Sequence, residues 1–182
     1  MVNRSKARRD TIHEQHLREK VDIGGVRSFF DKVALMHPDK SGLAIVCIGT
    51  DRSTGDSFGP WIGTMLEELG WPVVRGTLKE PWDSTRYEAS VLDMPASLPV
   101  IAIDACLGKI DDACRYLISE GPLYPARAVG KNLPPIGNYS LEGIVAPLSV
   151  KPYWSLQSAS LYEVIDLARA VTDAIHSAWR HK

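Results

Sequence analysis

Two aspartates occupy positions where an α/β protein does chemistry. Asp56 lies in the polar stretch Gly49-Thr-Asp-Arg-Ser-Thr-Gly-Asp-Ser-Phe-Gly-Pro60, between the apolar run Ala44 to Ile48 and a helical apolar pattern that starts near Phe58. Asp104 ends a second apolar run, Pro99-Val-Ile-Ala-Ile-Asp104. Strands covered on both faces read as continuous apolar runs, and open α/β sheets build their sites beyond the C-terminal ends of such strands. A carboxylate there is costly to bury unless it is paired, protonated or bound to a cation.

Placed close together, two carboxyl groups share one proton, because both cannot ionise cheaply at short range. The ionised member then takes a proton from water, while the other donates to a carbonyl oxygen or a leaving amine. Such a pair titrates as a unit. Held further apart, or joined by Asp51 or Glu142, the same groups would bind a divalent cation through oxygen. Asp56 also stands where an N-cap belongs, and a cap bond would lower its pKa and favour an ionised base. Asp51 and Arg52, in the same loop, suit a loop ion pair or an Asx turn and are candidate substrate contacts. Asn138, followed by Tyr139 and Ser140, is a further candidate for orienting substrate.

Other chemistries lack their partners. His13 and His16 fall on the first short helix, His37 precedes a proline, and His176 and His181 fall on the C-terminal helix. Ser-His-Asp, Cys-His and histidine-rich metal arrangements therefore have little support. Cys47, Cys106 and Cys114 sit in or beside apolar runs without Cys-x-x-Cys spacing, as free thiols in a reducing compartment do. Cys106 lies just past Asp104 but has no neighbouring histidine to act as its base. Gly49, Gly55 and Gly59 match neither G-x-G-x-x-G nor a Walker A loop, and the aspartates would repel phosphate. No cofactor and no metal is expected.

The elements that must position these groups can be read from periodicity. Thr11-Ile-His-Glu14 reads as a capping box opening a short helix to about Lys20, and Gly24-Gly25 reads as a break. Helical patterns cover Val26 to Met36, Phe58 to Leu69 and Ser84 to Leu92. A long amphipathic helix is expected from Leu156 to Trp179, with Leu161, Val164, Ile165, Ala168, Val171, Ile175 and Trp179 on one face. Strands are expected at Leu43 to Ile48, Trp71 to Gly76, Pro99 to Ala105, Ala113 to Ser119 and Asn138 to Leu148, with a long loop from Gly121 to Pro135. Strands alternate with helices through the middle of the chain, which argues for one three-layer α/β domain. Residues 1–25 form a basic tail and short helix, and 43–180 the core.

The chain has 182 residues, 45% of them apolar and 24% charged, enough for one domain with a full core. A net charge of -1 gives no whole-molecule attraction to nucleic acid or anionic lipid, although Arg4, Lys6, Arg8 and Arg9 cluster at the start. The first 25 residues lack the apolar region of a signal peptide, and no apolar run is long enough to span a membrane. A cytoplasmic protein is expected. Trp71, Trp82 and Trp154 read as exposed and as possible anchors of a homo-oligomer interface.

The Gly49 to Pro60 stretch after a strand, followed by Ile101-Ala-Ile-Asp104-Ala, resembles the germination (spore) protease superfamily, most closely its short sporulation-protein branch, the YyaC-like proteins. Gly76-Thr-Leu-Lys-Glu-Pro81 and Gly143-Ile-Val look like that branch too. The resemblance implies an α/β/α sandwich of the phosphorylase/hydrolase type with a mostly parallel or mixed sheet, shared with hydrogenase-maturation endopeptidases. By the match to the Asp-x-x-Gly-Pro and strand-end Asp-Ala motifs, it implies that Asp56 and Asp104 are the essential aspartates. The implied activity is peptide-bond hydrolysis in the forespore or spore core, on small acid-soluble spore proteins. The maturation endopeptidases add a histidine for nickel recognition, and this chain has no histidine between Asp104 and the final helix. A non-catalytic protein on the same fold, or a metal-dependent maturation-type endopeptidase, are the alternatives.

Overall fold

The continuous apolar runs become the middle of a six-stranded mixed sheet in the computed structural model, which describes residues 18–83, 87, 97–111, 115–125 and 133–180. The strands are β1 (Glu19–Val21), β2 (Ala44–Cys47), β3 (Val74–Arg75), β4 (Val100–Gly108), β5 (Tyr116–Ser119) and β6 (Tyr139–Pro147), in the spatial order β1-β5-β6-β4-β2-β3. From β3 through β2 and β4 to β6 the pairings are parallel, whereas β5 and β1 add on antiparallel. Four α-helices are present among the described residues: α1 (Ile23–Met36), α2 (Phe58–Glu68), α3 (Pro152–Gln157) and α4 (Leu161–Ala178).

Side-chain alternation divides the core between the two faces of the sheet. Ile45, Cys47, Ile101, Ile103, Leu141 and Val145 pack with Phe29 and Phe30 of α1, Ile62 and Leu66 of α2, and Val164, Val171 and Ile175 of α4. Ala44, Val46, Val100 and Ala102 point the other way, under Trp82, Tyr87, Leu123 and Ile136. β2 and the first half of β4, Val100 to Ile103, are therefore buried on both faces, which is why they read as unbroken apolar runs.

Several boundaries differ from the sequence reading. Glu19 and Lys20 are extended in β1 rather than helical, because they find a backbone partner in Ile118 and Leu117 of β5. Gly24 and Gly25 do not break the chain; they lie in the first turn of α1, whose N-cap Asp22 accepts the Gly25 amide at 2.8 Å. The expected C-terminal helix is two helices. Ser158 donates its hydroxyl back to the Trp154 carbonyl at 2.7 Å, ending α3, and Ser160 caps α4. Leu161 is consequently exposed rather than part of the buried stripe. Trp71 and Trp82 are buried, Trp71 edge-on to Trp179 with ring centroids 5.2 Å apart, and only Trp154 of that trio is exposed. The strand expected from Trp71 to Gly76 shrinks to Val74–Arg75, and the long loop after Gly121 folds back through a Leu123–Ile136 bridge. The Thr11 capping box lies outside the described residues, as does the Ser84 to Leu92 helix apart from Tyr87.

The N-terminus of α2 is fixed by close packing on the end of β2. A Cβ at Gly59 would stand 2.3 Å from the Ile48 carbonyl oxygen, a backbone atom that cannot move aside alone. Alanine is the better helix former by about 1 kcal/mol. Gly59→Ala is nonetheless expected to lower stability in urea unfolding, by about 1–3 kcal/mol, because the overlap forces α2 off the sheet.

Candidate functional site

Asp104 owes its position to strand periodicity. Val100 and Ala102 of β4 face the Trp82–Tyr87 side of the sheet, so Asp104 and Cys106 project from that same face, further along the strand. Burial drops from complete at Ile103 to partial at Asp104, where the apolar cover ends. One carboxyl oxygen accepts the Ala105 amide at 2.8 Å. Burial first, the Glu142 carboxylate second and the Asp56 carboxylate last hold the Asp104 carboxyl well above the usual carboxylate range, against the opposing Ala105 bond.

Asp56 sits in a 3-10 turn, Gly55–Ser57, that leads directly into α2. It does not cap that helix: the cap position is Ser57, and no side chain makes a cap bond there. The loop is held in shape by its own backbone. Thr50 donates to the Asp56 carbonyl at 3.1 Å, Ser57 donates to the Ser53 carbonyl at 3.0 Å, and the Ser57 hydroxyl donates to the Thr54 carbonyl at 2.6 Å. Gly49 has φ +143°, and a Cβ there would fall 2.0 Å from the Asp56 carbonyl oxygen, so the loop closes only around a glycine. Burial raises the Asp56 pKa; the adjacent Ser53 hydroxyl, itself short of hydrogen-bond geometry, pulls the other way.

Glu142 of β6 is the register partner of Asp104, directly beside it on the neighbouring strand. It is buried, and its carboxylate pairs with the Arg18 guanidinium at 2.8 Å. The Cys106 thiol is pushed up by burial, by Glu142 and by Asp104, with Arg18 opposing, and so stays protonated. The Tyr87 hydroxyl, which donates to the Pro134 carbonyl at 2.7 Å, is pushed up by burial and by Asp104. Asp104, Asp56, Glu142, Arg18, Cys106 and Tyr87 thus share one electrostatic neighbourhood.

The remaining candidates are placed differently. Asp51 is exposed in the loop. Arg52 pairs with Asp83 at 2.5 Å rather than with Asp51, and its Nε contacts the Thr50 hydroxyl at 3.3 Å. Asn138 lies at the opposite end of the sheet, its side-chain oxygen accepting the Val100 amide at 2.9 Å. Val100 precedes Asp104 by four residues, roughly 13 Å along an extended strand, so Asn138 fastens the start of β4 rather than meeting the aspartates. Among the described residues no group of three or more His, Cys, Asp or Glu side chains is arranged to hold a metal ion. Arg18 and Tyr87 escape a sequence reading, since neither lies near Asp56 or Asp104 along the chain.

The sequence family described as a protein of unknown function, DUF1256, matches residues 14–174. The chain belongs to this family. It is 34% identical over 149 residues to the protein named Uncharacterized protein YyaC of Bacillus subtilis (strain 168), a match covering 77% of this chain and 73% of that relative. No solved structure matches it. No helix among the described residues is long and apolar enough to cross a membrane.

The raised Asp104 pKa links the site to stability. A carboxyl whose folded pKa lies above its unfolded value contributes stability that is fully present below the unfolded pKa and is lost as pH rises through the folded pKa. Asp104 therefore destabilises the folded chain at neutral and higher pH. Asp104→Asn, which can keep the Ala105 bond without a charge, is expected to raise Tm at pH 7–8, with the gain vanishing in acid near pH 3–4, as followed by thermal unfolding across pH.

Proposed function

We propose that this protein hydrolyses a peptide bond with Asp56 and Asp104 as a proton-sharing pair. The observation that carries the reading is the contrast between the two carboxyls. Asp104 is raised strongly by burial and by two neighbouring carboxylates, whereas Asp56 is raised by burial alone and is favoured in its ionised form by Ser53. Environments that push two carboxyls apart assign one as acid and the other as base.

In this scheme Asp56 is the base. It takes a proton from water as the water oxygen bonds to the carbonyl carbon, while Asp104 gives its proton to the carbonyl oxygen. The tetrahedral species collapses by reforming the carbonyl. The C–N bond breaks, the proton held by Asp56 goes to the leaving amine, and Asp104 recovers its own. The similarity of the Asp56 and Asp104 motifs to the two essential aspartates of germination proteases supports this assignment, as does an α/β sheet in which Asp56 follows β2 and Asp104 stands on β4 one residue past its last pairing with β2. On the same resemblance the substrate is a small acid-soluble spore protein, and the setting the forespore or spore core.

A non-catalytic binding protein is the second reading, and one observation favours it. Leu148, Val150, Tyr153, Trp154, Leu161 and Tyr162 are all exposed within one short stretch, and its helix α3 packs against Gly55 beside Asp56. Exposed apolar surface of that extent suits a protein partner or a second copy of the chain.

Incubation with small acid-soluble spore proteins separates the readings. Asp56→Asn and Asp104→Asn are each expected to slow cleavage by at least about 100-fold while the proteins remain folded. Cleavage at the wild-type rate by both variants would sink the dyad, and binding without cleavage by wild type and variants alike would favour the second reading.

A further inference from the structure

β1 is only three residues long and lies at the edge of the sheet, yet the residue just before it, Arg18, is a cation that reaches the site. Lys20 of β1, Leu117 of β5, Glu142 of β6 and Asp104 of β4 stand opposite one another in a single cross-strand row. Residues in such a row share a face, and adjacent strands are about 4.8 Å apart. Arg18, two residues before Lys20, shares that face and reaches over β5 to the Glu142 carboxylate at 2.8 Å. Glu142 is buried and would be expensive to keep charged without that guanidinium. With it, a fixed negative charge stands immediately beside Asp104.

We infer that Glu142, locked by Arg18, is a positioning residue that makes Asp104 the proton-bearing member of the aspartate pair. The inference rests on the dyad reading for its catalytic meaning, but the electrostatic coupling stands apart from it. Among the described residues, the groups that face Asp104 are Glu142 from β6, Asp56 from the loop before α2, Cys106 from β4 itself, and Tyr87. Cys106 and Tyr87 are both held protonated, so among these groups Glu142 and Asp56 are the charges that act on Asp104. Of these, Glu142 acts the more strongly. Glu142 touches no reacting atom in this scheme; it works through Asp104. The role also explains why an ion pair is built between the sheet edge and its interior: Arg18 keeps the proton off Glu142 and so leaves it for Asp104.

The test is a carboxyl-carbon NMR titration of the Asp104 and Glu142 side chains in the full-length protein, without substrate, in wild type, Glu142→Gln and Arg18→Gln. Glu142→Gln removes the neighbouring charge at constant shape, so the Asp104 midpoint moves to lower pH. Arg18→Gln removes the counter-ion and lets Glu142 compete for the proton, so the Glu142 midpoint moves to higher pH while Asp104 is less fully protonated at neutral pH. That exchange of the proton between the two carboxyls is what a merely structural role would not produce. An unchanged Asp104 midpoint in Glu142→Gln, or a Glu142 midpoint that does not rise in Arg18→Gln, overturns the inference. Shifts of the expected sign in a protein that cleaves no peptide would leave the coupling intact and remove the peptidase reading alone.

Discussion

A carboxyl group set into the interior of a parallel sheet is unfavourable when ionised, since water that would solvate it has been replaced by strands. Asp104 is in that position, and its immediate neighbour on the next strand is another carboxylate. Both charges cannot be carried cheaply. Arg18 relieves the conflict on one side by pairing with Glu142, and on the other the Asp104 carboxyl is held well above the usual carboxylate range. Much of the local architecture follows from that division. Arg18 stands just before β1, β5 lies between β1 and β6, and Trp82 and Tyr87 pack with Val100 and Ala102 on the face from which Asp104 projects.

The second carboxyl reaches the site by a different route. Asp56 is carried on a loop whose shape is fixed by close backbone contacts together with the Ser57 hydroxyl bond. Gly49 takes a conformation that other residues rarely adopt, and Gly59 lets α2 close on the end of β2. Gly55 in turn lies under the backbone of Leu156 in α3. The polar loop is therefore clamped from two sides, and an acid fixed on a clamped loop can be aimed without a cap bond that would depress its pKa. A strand carries Asp104 and a clamped turn carries Asp56.

The sequence exposes this arrangement unevenly. Asp56 and Asp104 stand out because an acid terminating an apolar run contradicts burial, and contradictions of local rules concentrate at sites. The central strands are equally plain, since burial on both faces leaves uninterrupted apolar runs. Features that depend on distant pairing are hidden. Nothing local marks Glu19 to Val21 as a strand, because its partner in the sheet is β5, about a hundred residues further on. Arg18 looks like one more residue of a basic N-terminal region until β1 is placed. The break between α3 and α4 is written in Ser158 and Ser160, but a continuous apolar spacing masks it. Asn138 misleads in the opposite sense: a polar residue at a strand start suggests a ligand, whereas it is consumed by the Val100 amide.

What distinguishes a proton-sharing pair from two unrelated acids is a carboxyl that remains protonated in neutral solution and belongs to Asp104. Infrared difference spectroscopy of the wild-type protein at neutral pH, against Asp104→Asn and Asp56→Asn, observes that carboxyl directly through the C=O stretch of the acid form. The predicted result is a protonated-carboxyl band that disappears in Asp104→Asn and persists in Asp56→Asn. Absence of the band from the wild-type protein, or its loss on replacing Asp56 instead, would contradict it.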